Sequence, residues 1–496
     1  MTKLDEANEA VMKRAETIGK QYRLGYHIMA PANWINDPNG LVYFNGEYHA
    51  FYQHHPYDEH WGPMHWGHAK SKDLVHWEHL PIALAPDQNY DRDGCFSGSA
   101  VVKGDQLFLI YTGHVWVDRE KDIAIQTQCI ASSQDGITFT KHPNNPVIKE
   151  VPSDSTGHFR DPKVWEKNGI YHMVLGNRTT DDVGRAILYS SSDLVDWAYD
   201  GVLAQADETL GYMWECPDFF RVDGKDVLFF SPQGMKAEGD SYQNLHQTGY
   251  LVGLYNEETK TYEHGPFEEL DNGHDYYAVQ TLQDDKGRRI AIGWMDMWES
   301  DMPTKEDGWC GAMTLPREVS VSPENKVIMK PVTELKMLRK ENHTISKTEL
   351  NEEEAITAIK GDLLEIELEY SLKDVTANEF GICLRRSEDG TEKTVIGVNM
   401  DEANIFIDRT ASGKGVTGVR KTMIDLEKET CKIHIYLDRS SVELFANGGE
   451  VNMTSRIYPD PTSLHISLFA KGGKVTLIKS NIWTLEDVWE TGSKSL

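Results

Sequence analysis

The stretch DPNGLVYFNGEYHAFYQ, residues 37–53, decides the fold, because its pattern returns four more times along the chain. The counterparts are FSGSAVVKGDQLFLIYTG (96–113), DPKVWEKNGIYHMVLGN (161–177), CPDFFRVDGKDVLFFSPQ (216–233) and QTLQDDKGRRIAIGWM (280–295). Each reads as strand, glycine-containing turn, strand. Alternating apolar residues flank Gly46, Gly104, Gly169, Gly224 and Gly287 as a hairpin demands. These glycines lie 58, 65, 55 and 63 residues apart, about one four-stranded blade with its loops. That period exceeds the roughly 8 to 12 residues between strands of a sandwich. Repeats that stack to bury a shared core therefore predict a five-bladed β-propeller over residues 22–330.

A second pattern agrees. SKDLVHW (71–77), SQDGITF (133–139) and SSDLVDW (191–197) each place an Asp four residues before an aromatic, which suits a turn that starts an outer strand and seats a ring between blades. Beyond LPRE (315–318) the pattern changes. PVTELKMLRK, with Pro331 suited to a first helical turn, predicts a helical linker over 331–349. LEIELEY (364–370), NIFIDR (404–409), KIHIYLDRSSVELFAN (432–447) and SLHISLF (463–469) then alternate apolar with polar residues, predicting a C-terminal β-sandwich over 350–496. Ala7, Val11, Ala15 and Ile18 recur at helical spacing, so residues 1–21 read as an amphipathic helix on an otherwise all-β chain.

Composition narrows the function. A chain of 496 residues, 39% hydrophobic and 26% charged, suits a soluble protein of two domains. It holds no apolar run near the roughly 20 residues that span a bilayer. The first 21 residues mix both charge signs and lack a secretory pattern, so a cytoplasmic location is expected. Cys95, Cys129, Cys216, Cys310, Cys383 and Cys431 are too dispersed for a metal site or a disulfide framework. His54 with His55, and His65 with His68, have no third ligand in a recognisable context, and neither metal nor cofactor is expected. The run Glu352–Glu354 reads as solvated surface. A formal charge of −29 opposes nucleic acid and anionic membranes. The sequence leaves oligomeric state open. An anionic substrate would need local cations, for which Lys236, Lys305 and His246 are candidates.

Glycosidic hydrolysis typically takes one carboxyl group to protonate the leaving oxygen and another to meet the oxocarbenium carbon. In three repeats an acid stands beside a proline ahead of the first strand: Asn36-Asp37-Pro38, Arg160-Asp161-Pro162 and Glu215-Cys216-Pro217. If those strands are innermost, the three acids occupy equivalent places around a central cavity. The prolines should hold the preceding residues extended. Trp34, Trp61, Trp214 and Trp294 fall near loops that would ring such a cavity, where indole faces stack on sugar C–H faces.

The blocks WINDPNG (34–40), FSGSAV (96–101), FRDPKVW (159–165), WECPD (214–218), GHDYYAVQT (273–281) and DRSSVELFANGG (438–449) resemble, in order, those of glycoside hydrolase family 32. The resemblance implies a five-bladed propeller with a β-sandwich, and retaining hydrolysis of sucrose or sucrose 6-phosphate. It implies Asp37 as nucleophile, Asp161 as transition-state stabiliser and Glu215 as general acid/base. Sugar-binding roles follow for Trp34, Asn36, Gln53, Trp61, Phe96, Ser97, Arg160, Asp275 and Trp294. Arg160 is expected to orient Asp161 or the sugar hydroxyls, and Glu215 to have a raised pKa. An exo-acting fructan hydrolase, a fructosyltransferase and a non-catalytic sugar-binding propeller are the alternatives. Val279 and Asp296 stand where the family commonly has proline and glycine, and both are expected near the cavity rim.

Overall fold

A computed structural model describes residues 1–351 and 354–491; the acidic run is outside the described residues except for the backbone of Glu354. Five antiparallel sheets succeed one another along the first two thirds of the chain. Their first strands are Asn33–Phe44, Gly94–Lys103, Ser155–Lys167, Met213–Val222 and Tyr277–Gln283. Each pairs with the strand that follows it, so every repeat is a hairpin. Three of the turns are Asn-Gly or Asp-Gly with both residues at positive φ: 51° and 83° at Asn45-Gly46, 54° and 79° at Asn168-Gly169, 49° and 78° at Asp223-Gly224. That conformation matches the right-handed twist of paired strands.

The first strands touch in cyclic order, the fifth meeting the first. Trp309–Cys310 closes the ring by pairing in parallel with Asn33 and Trp34. Apolar seams fill the spaces between successive sheets. Phe51 and Trp66 meet Leu109 and Tyr111 between the first two, and Val174 and Leu188 meet Trp214 and Leu228 between the third and fourth. The Asp-aromatic pattern also has its physical basis here. Asp73 Oδ1 accepts from the backbone N–H groups of Val75 and His76, Leu74 adopts φ 66°, and the Trp77 indole donates to the Leu74 carbonyl at 3.0 Å. Asp193, Leu194 and Trp197 repeat the arrangement.

A sandwich of a seven-stranded and a six-stranded sheet follows, around a core that includes Ile366, Phe380, Ile396, Ile435 and Leu444. The connector differs from the helix expected of it: only a 3-10 turn forms, over Thr333–Leu338, with Leu335 and Leu338 buried. Pro331 instead ends the last strand of the fifth sheet. Arg339–His343 and Thr348–Leu350 already pair with the sandwich strand Val475–Leu485, so edge pairing claims the residues a longer helix would need. The N-terminal helix spans Lys3–Ala15, capped by Thr2 and Asp5, with Ala7 and Val11 buried against Ile82. Among the described residues, no helix is long and apolar enough to cross a membrane.

Buried ions lock the sandwich to the propeller. The two ring nitrogens of His27 lie 2.7 Å from Asp438 and 2.8 Å from Glu443. Arg317 bridges Glu443 at 2.6 Å and Asp271 at 2.9 Å. The block DRSSVELFANGG thus supplies two carboxylates to the junction.

Candidate active site

Each first strand carries a β-bulge at the same place. Pairing with the second strand slips between Ile35 and Pro38, Phe96 and Gly98, Arg160 and Lys163, Glu215 and Asp218, and Tyr277 and Gln280. Proline donates no ladder hydrogen bond and is accommodated at such points, and a bulge re-aims the side chains beside it. The prolines do not hold their neighbours extended at every site: Asp161 has φ 65° and Cys216 φ 47°, with Ala278 alike at φ 55°. Non-glycine residues at positive φ need support from their surroundings. The Asp161 N–H donates to Thr112 Oγ1 at 3.2 Å, and the Cys216 N–H to Asp161 Oδ2 at 2.9 Å.

This register corrects the idea that all three acids are equivalent. Counted from the proline that follows, Asp37 and Asp161 each stand one residue before it and Glu215 two, level with Asn36 and Arg160. Cys216 takes the place that Asp37 and Asp161 hold in their own repeats. Its buried sulfur lies 3.5 Å from Asp37 Oδ2 and 3.7 Å from Asp161 Oδ2.

The acids meet in a cavity of about 180 Å³, enough for one sugar ring, which Asn36, Gln53, Trp61, Phe96, Ser97 and Arg160 also line. Asp37 accepts from Ser97 Oγ at 2.6 Å and from Asn36 Nδ2 at 3.0 Å, and Asn36 in turn accepts from the Trp34 indole. Gln53 donates to Asn39 at 2.7 Å. Arg160 donates to Glu215 Oε1 from Nε at 3.1 Å and from Nη2 at 2.8 Å. Gln233 and Tyr277 donate to Glu215 Oε2 at 2.8 and 2.5 Å.

Electrostatics here run opposite to the sequence-based expectation. Burial pushes the Asp37 carboxyl up, helped by the charge of Glu215 and opposed by its hydrogen-bond donors. Burial also raises Asp161, with Arg160 opposing and the other two acids assisting. Glu215 is held below its ordinary value: burial works against its charge, but Arg160 and Tyr277 outweigh it. Donors that favour the charged form explain the inversion.

Three assigned side chains are not among the cavity-lining groups. Trp34 and Trp294 are buried and pack on Trp298, at ring-centroid distances of 5.9 and 5.0 Å, and Trp298 lines the cavity in their stead. Asp275 is fully enclosed, its Oδ2 accepting from Arg409 Nη1 at 2.6 Å and from the Arg456 N–H at 2.7 Å. It ties propeller to sandwich. Neither family departure is at the rim. Val279 sits in the seam between the fourth and fifth sheets, and Asp296 is buried 3.8 Å from Arg456. Trp214 is likewise buried, stacked on Phe230.

His114, Trp116, Asp122, Gln126 and His158 line the cavity without having been singled out from sequence. The first four come from the hairpin of strands Gln106–Asp118 and Ile123–Ser133, whose repeat signature ends before them. Of the three candidate phosphate cations, Lys236 is exposed and Lys305 lies 5.5 Å from the Trp34 ring. Burial lowers His246 below its ordinary pKa. None of the three lines the cavity. His54 and His65 bond to the carbonyls of Trp34 and Pro63, and His68 pairs with His49.

Residues 27–331 match the glycosyl hydrolases family 32 N-terminal domain, and residues 334–484 the family 32 C-terminal domain. A sucrose-6-phosphate hydrolase of Escherichia coli is 44% identical over 98% of this chain and 99% of its own. A raffinose invertase of Escherichia coli is 42% identical over 97% and 99%. The solved GH32 β-fructofuranosidase of Bombyx mori superposes with a TM-score of 0.86 at 37% identity, covering 98% of both chains, and a variant of it has been solved with sucrose.

Proposed function

This chain belongs to glycosyl hydrolase family 32, and from that premise we propose that it hydrolyses the β-fructofuranosidic bond of sucrose or sucrose 6-phosphate, with Asp37 as nucleophile, Glu215 as acid/base and Asp161 as stabiliser of the oxocarbenium-like transition state. The observation that carries the reading is the convergence of three carboxylates from three separate repeats in one sugar-sized cavity. A binding module has no need of such mutual repulsion. The relatives support the substrate: the Escherichia coli protein carries sucrose 6-phosphate in its name, and a variant of the insect enzyme has been solved with sucrose.

Asp37 attacks the anomeric carbon of the fructosyl unit, while Ser97 and Asn36 hold the carboxylate in place and stabilise its charge. Asp161, pinned by the Cys216 N–H, faces the same ring and becomes more favourable as positive charge develops on it. Glu215 must deliver a proton to the leaving oxygen, yet the free site favours its ionised form. The charge of Glu215 raises both Asp37 and Asp161. Sugar hydroxyls that draw donors away from Glu215 raise its pKa and bring the proton to where it is needed. Water then enters from the leaving-group side and Glu215 takes its proton, releasing fructose with retained configuration.

A cytoplasmic workplace belongs to the same proposal, since a phosphate ester formed on sugar uptake is met inside the cell; cell fractionation that recovers the activity outside would contradict it. The test of function is a side-by-side assay on sucrose and sucrose 6-phosphate. Release of fructose from at least one is expected, and inertness toward both refutes the reading.

A further inference from the structure

Asp122 lines the cavity from the turn between the strands Gln106–Asp118 and Ile123–Ser133. Resting on the hydrolase reading above, we infer that Asp122 is a specificity-determining residue: its carboxylate receives the hydroxyl groups of a neutral leaving sugar and repels the phosphate of the corresponding ester, so that sucrose is preferred to sucrose 6-phosphate.

A row of side chains leads from the acid to that carboxylate. Arg160 donates to Glu215 from Nε and Nη2, and its Nη1 lies 3.0 Å from His158 Nδ1. A guanidinium can only donate, so Nδ1 accepts and the proton of the neutral ring sits on Nε2. That nitrogen lies 3.0 Å from Asp122 Oδ2, to which it donates. Burial and the charge of Arg160 hold His158 below its ordinary pKa, in keeping with a neutral ring. The fructosyl ring belongs at the deep end, where Asp37 and Ser97 are enclosed. Glu215 must reach the leaving oxygen, so the leaving sugar lies along Glu215, Arg160, His158 and Asp122. Of these four, Asp122 alone is exposed, which places it at the mouth.

Charge there selects a neutral sugar. Among the described residues, Arg160 is the one lining side chain that is cationic at neutral pH, and Glu215 already engages it. His114, like His158, is held neutral by burial. The cations around the turn are engaged or turned away. Lys121 lies 3.0 Å from Asp118, Arg178 donates to Asp182 at 2.8 Å, and Arg119 is exposed without lining the cavity. A dianion passing Asp122 therefore meets negative charge that no free cation offsets, whereas sugar hydroxyls donate to the same carboxylate.

The test compares wild type with D122N on sucrose and sucrose 6-phosphate, at low and at raised salt. Wild type should show the higher kcat/KM on sucrose, by a margin that salt narrows, because mobile ions screen an exposed charge. In D122N the KM for sucrose should rise about fivefold with kcat nearly unchanged, since asparagine keeps an acceptor and loses the charge. The ratio of kcat/KM for the ester to that for sucrose should rise roughly tenfold at low salt. A wild-type enzyme that treats the two sugars alike or favours the ester overturns the inference, and so does a ratio unchanged in D122N. An equal fall in kcat on both sugars with KM unchanged also overturns it, because Asp122 would then act only through His158 and Arg160. Wild-type protein inert on both sugars refutes the hydrolase reading itself, and the inference with it.

Discussion

Arg160 and Glu215 form a fork, two hydrogen bonds of 3.1 and 2.8 Å from the guanidinium to one carboxylate oxygen, although Arg160 adjoins Asp161 in sequence. The pair sets which acid is charged in the free site. Removing the cation raises the Glu215 pKa, because an opposite charge that favoured ionisation is gone. For R160Q, the basic limb of the kcat/KM profile, which reports the acid that must be protonated, should move to higher pH. The value at the optimum should fall at least about a hundredfold. A basic limb that stays in place, measured across the pH range on sucrose, would show that Arg160 does not control Glu215.

The roles proposed for Asp37 and Glu215 separate by leaving group. Asp37→Ala should abolish turnover of every fructoside. Glu215→Ala should retain activity preferentially where the leaving group needs no protonation. Steady-state kinetics on activated and natural fructosides decide this, and equal losses on both would remove Glu215 from the acid role.

Asp161 opposes folding through its buried charge. Its native pKa is raised, so the native state binds more protons than the unfolded state between the ordinary carboxylate range and that raised value. Stability from this group is therefore present at low pH and lost as pH rises through that window. D161N should be more stable than wild type at neutral pH, by roughly 2 °C or more in Tm, while losing activity. A lower Tm at neutral pH would contradict the assignment of strain to this carboxylate.

His27 works with the opposite charge. Burial disfavours its cation, but Asp438 and Glu443 outweigh that and lift its pKa to about 9. The stabilisation is complete below about 6.5, the ordinary histidine value, and is lost as pH rises through about 9. Thermal unfolding followed from pH 6 to pH 10 should show wild type losing stability across this interval and H27Q doing so less steeply. Parallel curves would mean that the junction does not depend on a charged His27.

Much of this was legible in sequence, because hairpin turns and alternating strands are local. Gly46 and its four counterparts mark the repeats, and Asp37, Asp161 and Glu215 stand beside them. The bulges were not legible: a slip in strand pairing depends on the partner strand, and Asp161 and Cys216 reach positive φ despite the prolines that follow them. Asp275 entered as a sugar ligand only through the resemblance; its partners Arg409 and Arg456 arrive from the sandwich, more than a hundred residues away, where no local signal marks them. Trp298 escaped notice because it lies on a loop with no repeat to mark it, and Trp34 and Trp294 drew attention to the layer that it covers.

The most direct test is the configuration of the first fructose released. Nucleophilic attack by Asp37 followed by hydrolysis of the fructosyl intermediate inverts the anomeric centre twice, which retains its configuration. Magnetic resonance spectra taken within the first turnovers on sucrose, before mutarotation, should show β-fructofuranose. α-Fructofuranose as the first product would mean a single displacement by water, and Asp37 could not be the nucleophile.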